Sequence, residues 1–218
     1  MEATITQTPA LIHPLTYNEY TALVEQLVEQ NKTTGPDQTE ERIAFTRLNW
    51  QRMKRVGKQF VLLPELKAAL QQLQEPWHWL VLVEAWCGDG AQLLPALAAV
   101  AEASPAITLT VLLRDENPAL MDTCLTNGSR AIPKLICTNA LTQERIFTWG
   151  PRPLAIKKQV EEFKKANPLA THHELNLQVH TWYAKDRGNA LQQDLHQLIQ
   201  QAISLPDAAP ETAQNLIN

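Results

Sequence analysis

The stretch from Trp79 to Ala101 constrains the fold more than any other. Trp79-Leu80-Val81-Leu82-Val83 is an apolar run long enough for one strand buried on both faces and too short for a typical helix. Ala85-Trp86-Cys87-Gly88-Asp89-Gly90 follows, and Leu93, Leu94, Leu97, Val100 and Ala101 then recur on one side of a helix. A cysteine at such a strand-to-helix turn sits where unpaired N–H groups and the helix dipole favour negative charge. That placement predicts a partly exposed Cys87 whose pKa lies below the free value of about 8.5, a candidate nucleophile. The other reading is a small buried residue that happens to fall at a turn, and this stretch alone leaves both open. Asp89 works against the thiolate, because a nearby carboxylate disfavours a second negative charge. Arg130 is expected to offset it if the chain brings the two close; otherwise it is a cation at a helix C-terminus.

A second stretch bears on the choice. Ser129-Arg130-Ala131-Ile132-Pro133 leads into Lys134-Leu135-Ile136-Cys137, which reads as a short strand. Proline at a strand needs a reason, since it cannot donate to the ladder, and a cis bond in a tight turn is one. Strand, W-C-G-x-x, a helix containing Pro95, strand, helix and Ile-Pro before a strand is an order that resembles the thioredoxin fold over residues 77 to 151. Ile132-Pro133 is similar to that family's cis-proline, Pro95 to its helix-kinking proline, and Gly150 to the glycine closing its last strand. Gly90 stands where the family carries a second cysteine, and Val81 where it buries an acid. The patterns W-C-G-D-x-x-Q (Trp86 to Gln92), R-D-E-N-P, L-T-N-G-x-R-x-I-P-K and T-W-G-P-R-P resemble a subgroup of larger bacterial members.

The resemblance implies a thioredoxin-like mixed β-sheet flanked by helices, in the α/β class, with additional N- and C-terminal helices. Residues 1–204 are expected to form one domain with its core at about 60–166, followed by a loosely held tail at 205–218. Cys87 becomes the implied catalytic nucleophile, with Trp86, Gly88, Asp89 and Gly90 as its active-site motif. Ile132, Pro133 and Gly150 become the implied surface for an extended substrate. Without a second cysteine, an external thiol such as glutathione must release the mixed disulfide with a protein or small-molecule substrate. The alternative is a binding module that keeps the surface without turnover. No cofactor or metal is implied.

Composition narrows the classes. With 44% hydrophobic and 19% charged residues the 218-residue chain reads as an ordinary globular protein. A net charge of -4 does not suggest nucleic acid or an anionic membrane as partner. The apolar runs are too short for a transmembrane helix, and the N-terminus lacks a secretory pattern. Three irregularly spaced cysteines suggest no disulfide framework, so a reducing cytoplasm is the expected compartment.

Along the rest of the chain, Thr16-x-x-Glu19 and Thr171-x-x-Glu174 are capping boxes ahead of helices. Another helix is expected from about Thr39 to Val56, stopped by Gly57; its basic end, Arg47, Arg52, Lys54, Arg55 and Lys58, reads first as a solvated face suited to a helix C-terminus, with a site for an anionic partner as the minority reading. Phe60 to Leu63 is expected to add an edge strand, and Pro64 to open a helix reaching Leu73. Ile107 to Leu113 reads as a strand. A helix capped by Asn117 should end at Asn127-Gly128, and Asn189 should cap the last helix. Cys124 and Cys137 read as core residues with no bridge to Cys87. His172-His173 reads as surface, because adjacent side chains do not share a helix face.

Overall fold

The computed structural model describes residues 9–204. The elements are α1 (Tyr17–Glu29), α2 (Glu40–Gln59), α3 (Pro64–Leu70), β1 (Trp77–Val83), α4 (Gly88–Glu102), β2 (Ile107–Leu113), α5 (Pro118–Met121), β3 (Lys134–Asn139), β4 (Arg145–Trp149), α6 (Leu154–Ala166), α7 (His172–Asp186) and α8 (Asn189–Ser204). The strands form one sheet in the order β2-β1-β3-β4. β1 is parallel to β2 and antiparallel to β3, and β4 is antiparallel to β3. Parallel neighbours need a crossover, which α4 supplies. The expected mixed sheet flanked by helices is the observed architecture.

β1 explains its own composition. It lies between β2 and β3, with Val81 opposite Val111 on one side and Leu135 on the other. Trp79 to Val83 are each no more than 2% exposed. Burying each of these large side chains contributes roughly 1.5–3 kcal/mol, so the strand is held by packing on both faces. α4 lays Leu93, Leu94, Leu97 and Val100 into the same core and runs unbroken through Pro95. α2 packs on α4, while α8 packs on α3, α6 and β4. Both capping boxes form, with Glu19 N donating to Thr16 Oγ1 and Glu174 N to Thr171 Oγ1, each at 3.2 Å. Leu15 pairs with Val111, extending the β2 edge with the segment before α1.

Several boundaries differ from expectation for local physical reasons. Gly57 does not stop α2, which continues to Gln59; it is exposed and helical, where glycine costs only about 1 kcal/mol. Phe60 to Leu63 is extended but joins no strand. Buried Gln192 of α8 serves this segment instead, accepting from Leu63 N at 2.7 Å and donating to the Val61 carbonyl at 3.2 Å. α3 ends at Leu70 rather than Leu73. α5 ends at Met121, and Asn127-Gly128 instead form a tight turn, both with positive φ, closed by mutual Thr126–Ser129 hydrogen bonds. Asn189 is the first residue of α8; the Asp186 carboxylate accepts from Ala190 N and does the capping. The tail expected from Leu205 lies outside the described residues.

Among the described residues no helix is long and apolar enough to cross a membrane, and no three His, Cys, Asp or Glu side chains cluster as metal ligands. Cys87, Cys124 and Cys137 are all buried and unbridged.

Candidate active site

The end of β1 delivers Cys87 to the N-cap of α4, with extended φ and ψ of -75° and 112°. Its sulfur accepts the Gly90 N–H at 3.3 Å and donates to the Ile132 carbonyl at 3.4 Å. The Ile132–Pro133 peptide bond is cis, as expected, and the Gly150–Pro151 bond is also cis. Gly150 adopts φ +113° against the Pro133 carbonyl. Folding therefore gathers Cys87, Ile132, Pro133 and Gly150, which are scattered over more than sixty positions of sequence.

The sulfur's environment overturns two expectations. Cys87 is only 7% exposed, and Ile132, Pro133 and Gly150 are buried beside it. Burial first, and then the Asp89 charge, push the thiol from an ordinary 9.0 up to about 12. The Gly90 and Asp89 N–H groups and the Arg152 cation pull the other way and are outweighed. Desolvation beats the helix terminus, so the thiol is protonated at neutral pH. Tyr20 of α1 and Tyr183 of α7 are buried near enough for the Cys87 charge to contribute to raising both phenols, after burial itself.

This protonated state has a kinetic signature. Alkylation consumes thiolate, so near pH 7 the folded chain should react at Cys87 about a thousandfold more slowly than a thiol of ordinary pKa. The rate should keep rising with pH through the range where an ordinary thiol saturates. A plateau at or below the ordinary thiol pKa would contradict the buried geometry.

Asp89, the first acid of α4, is tied down from two sides. Arg152 donates to it three times, at 2.8–3.0 Å, and the Tyr183 hydroxyl donates at 2.7 Å. Arg130, expected to offset Asp89, instead makes a two-pronged pair with Asp122 at 2.7 Å on the surface. The offsetting cation is Arg152, in the turn after β4. Gly88 lies against α7 and α2: a Cβ there would come 2.8 Å from the His180 ring and 3.3 Å from Arg52. The guanidiniums of Arg42 and Arg114 lie over the Trp86 ring at 4.2 and 5.0 Å from its centroid.

Sequence reasoning also found no acid behind the cysteine, because Val81 holds that position. The structure buries Glu84 at the end of β1, 1% exposed, with Oε1 accepting from Asp115 N at 2.9 Å and Oε2 unpartnered. Burial is the main cause of its raised pKa. Its adjacency to the Cys87 turn was visible in the sequence. The roles of His180 and Tyr183 were not, since Tyr183 reaches Asp89 across 94 positions.

Comparison with known proteins fits this geometry. A family model described as Thioredoxin matches residues 35–164, more than half of the chain. The crystal structure of a protein of unknown function from Pseudomonas aeruginosa is similar, with a TM-score of 0.56 at 18% identity, over 86% of this chain and 99% of that one. At that identity the likeness speaks for the fold alone. An HIV epitope-scaffold aligns over 87% of this chain and 96% of its own at 15% identity, and its TM-score of 0.48 is too low to carry an argument. No curated protein matches.

Proposed function

We propose, because this chain belongs to the thioredoxin family, that Cys87 carries out thiol–disulfide exchange as a single nucleophile. The observation that carries the reading is the Cys87 sulfur at the start of α4, 3.4 Å from the Ile132 carbonyl beside Pro133. In the exchange, Cys87 loses its proton to solvent and attacks one sulfur of a disulfide. The new Sγ–S bond forms as the old S–S bond breaks, and its electron pair leaves on the departing thiolate. A glutathione-type thiolate then attacks the substrate-derived sulfur, expels Cys87 as thiolate and becomes joined to that sulfur. Gly90 supplies no sulfur to do this internally. The W-C-G-D-x-x-Q pattern at Trp86 to Gln92 supports placing the chain with larger bacterial members of the family. The helices added on both flanks are taken as part of one unit with the core, since Tyr20 and Tyr183 stand around the thiol.

One observation favours a second reading, a binding module without turnover: Cys87 is only 7% exposed. Insulin reduction separates the two. The protein alone should turn over poorly, glutathione should restore turnover, and Cys87→Ser should abolish the restored part. Equal rates for the wild type and Cys87→Ser would leave the binding module as the better reading.

Restoring a second thiol is limited by packing. A Cβ at Gly90 would lie 3.5 Å from both Cβ and Sγ of Cys87, close enough for a disulfide, but 2.5 Å from Val83 Cγ2. Gly90→Cys alone should therefore lower stability by about 1–3 kcal/mol through overpacking. Combined with Val83→Ala, it should regain part of that loss and form the bridge to Cys87, read by denaturant unfolding and non-reducing peptide mapping. Absence of the bridge in the double variant would contradict the placement of Gly90.

A further inference from the structure

α2 and α7, which flank the core, line an open cavity of about 510 Å³ beside the Cys87 turn. Arg52 and Arg55 of α2, Gln92 of α4 and His180 of α7 supply its polar wall. Both arginines are half-buried, and neither has a carboxylate within ion-pair distance among the described residues. Arg52 donates to Asn49 at 2.9 Å, and Arg55 donates to buried Gln92 at 3.0 Å, so both guanidiniums are held in place by neutral groups. The nearby carboxylate, Asp89, is already engaged by Arg152 and Tyr183. Leu48 and Leu177, 46% and 64% exposed, also line the cavity.

We propose that this cavity is a binding site for a small oxyanion, a carboxylate or phosphate group held between Arg52 and Arg55 next to Gly88. Two guanidiniums close enough to repel one another, partly withdrawn from water and with no ion-pair partner among the described residues, are stabilised by an anion that each can bond. The site lies in the helices outside the sheet and needs no thiol. His180 is the internal reporter. Burial first, then Arg52, with Arg152 and Arg55 adding to it and Asp89 opposing, hold its ring pKa down at about 4. An anion between the arginines favours the protonated ring and moves that value up.

The test uses the full-length Cys87→Ser chain, so that thiol chemistry and anion binding fail separately. Inorganic phosphate and S-methylglutathione, which carries carboxylates and no free thiol, are titrated while the His180 ring signals are followed by NMR. Saturable binding of either probe with an upward shift of the His180 titration is expected. Binding of phosphate alone identifies a phosphate ligand, and tighter binding of S-methylglutathione identifies a carboxylate ligand. Arg55→Gln should weaken binding at least about tenfold, as loss of one charged contact predicts. Leu177→Glu, which sets a carboxylate at the lining of the cavity without touching the core, should weaken it as well. Lys58→Gln, exposed on the same helix outside the cavity, should not. Failure of both probes to bind, or an equal loss in Lys58→Gln and Arg55→Gln, overturns the proposal.

Discussion

Gly150→Ala is expected to lower stability by about 3–4 kcal/mol, the sum of strain at positive φ and overpacking against backbone. Gly150 sits at φ +113°, a region that residues with a Cβ rarely adopt. A Cβ built there runs into the Pro133 carbonyl oxygen, and backbone atoms of Pro133 and Lys134 crowd it further. Neither neighbour is the end of a flexible side chain, so relief requires moving the turn that faces Cys87. Urea unfolding of the variant measures the loss. The control is Gly128→Ala, where φ is +74° but nothing lies within 4 Å, and which should lose only the conformational part, about 1 kcal/mol. Equal losses at the two positions would contradict the close approach of Gly150 to Pro133.

Arg152→Ala should cost about 2–3 kcal/mol, somewhat less than the 3–5 of a fully buried pair. The Arg152 and Asp89 side chains are 25% and 15% exposed, so solvent screens part of the interaction. Removing Arg152 leaves the Asp89 carboxylate beside Cys87 with the Tyr183 hydroxyl as its remaining side-chain donor. The same change removes the cation that favours the Cys87 thiolate, so alkylation should slow further. Asp89→Asn acts in the opposite sense on the sulfur: loss of the negative charge should speed alkylation roughly threefold to tenfold. Combining Arg152→Ala with Asp89→Asn should recover most of the lost stability, since no charge is then stranded. Additive losses would contradict the pairing.

Sequence legibility divides along physical lines. β1, α4 and β3 were readable because apolar runs and local turn residues specify them, and the meeting of Cys87 with Ile132-Pro133 was implied by the family resemblance. The two capping boxes were readable for the same local reason. Burial of Cys87 was not, because the residues around it come from the ends of the fold: Tyr20 in α1 and Tyr183 in α7. Arg152 lay inside a recognised motif, yet its partner could not be chosen over that of Arg130 without knowing that the turn after β4 meets the start of α4. The Asn127-Gly128 pair misled because the same dipeptide serves helix ends and tight turns, and only the Thr126–Ser129 pairing decides. The edge-strand reading of Phe60 to Leu63 failed because a side chain, Gln192, took the ladder partner's place.

Glutathione disulfide is the substrate that shows whether Cys87 acts as the one nucleophile of this fold. The folded wild-type chain is incubated with it under mildly alkaline conditions and examined by intact mass and peptide mapping. One glutathione per chain is expected, on Cys87, removable by excess glutathione and missing from Cys87→Ser. No adduct on Cys87 even at a pH and incubation time that allow for its raised thiol pKa, or an adduct on Cys124 or Cys137 that persists in Cys87→Ser, would contradict that role.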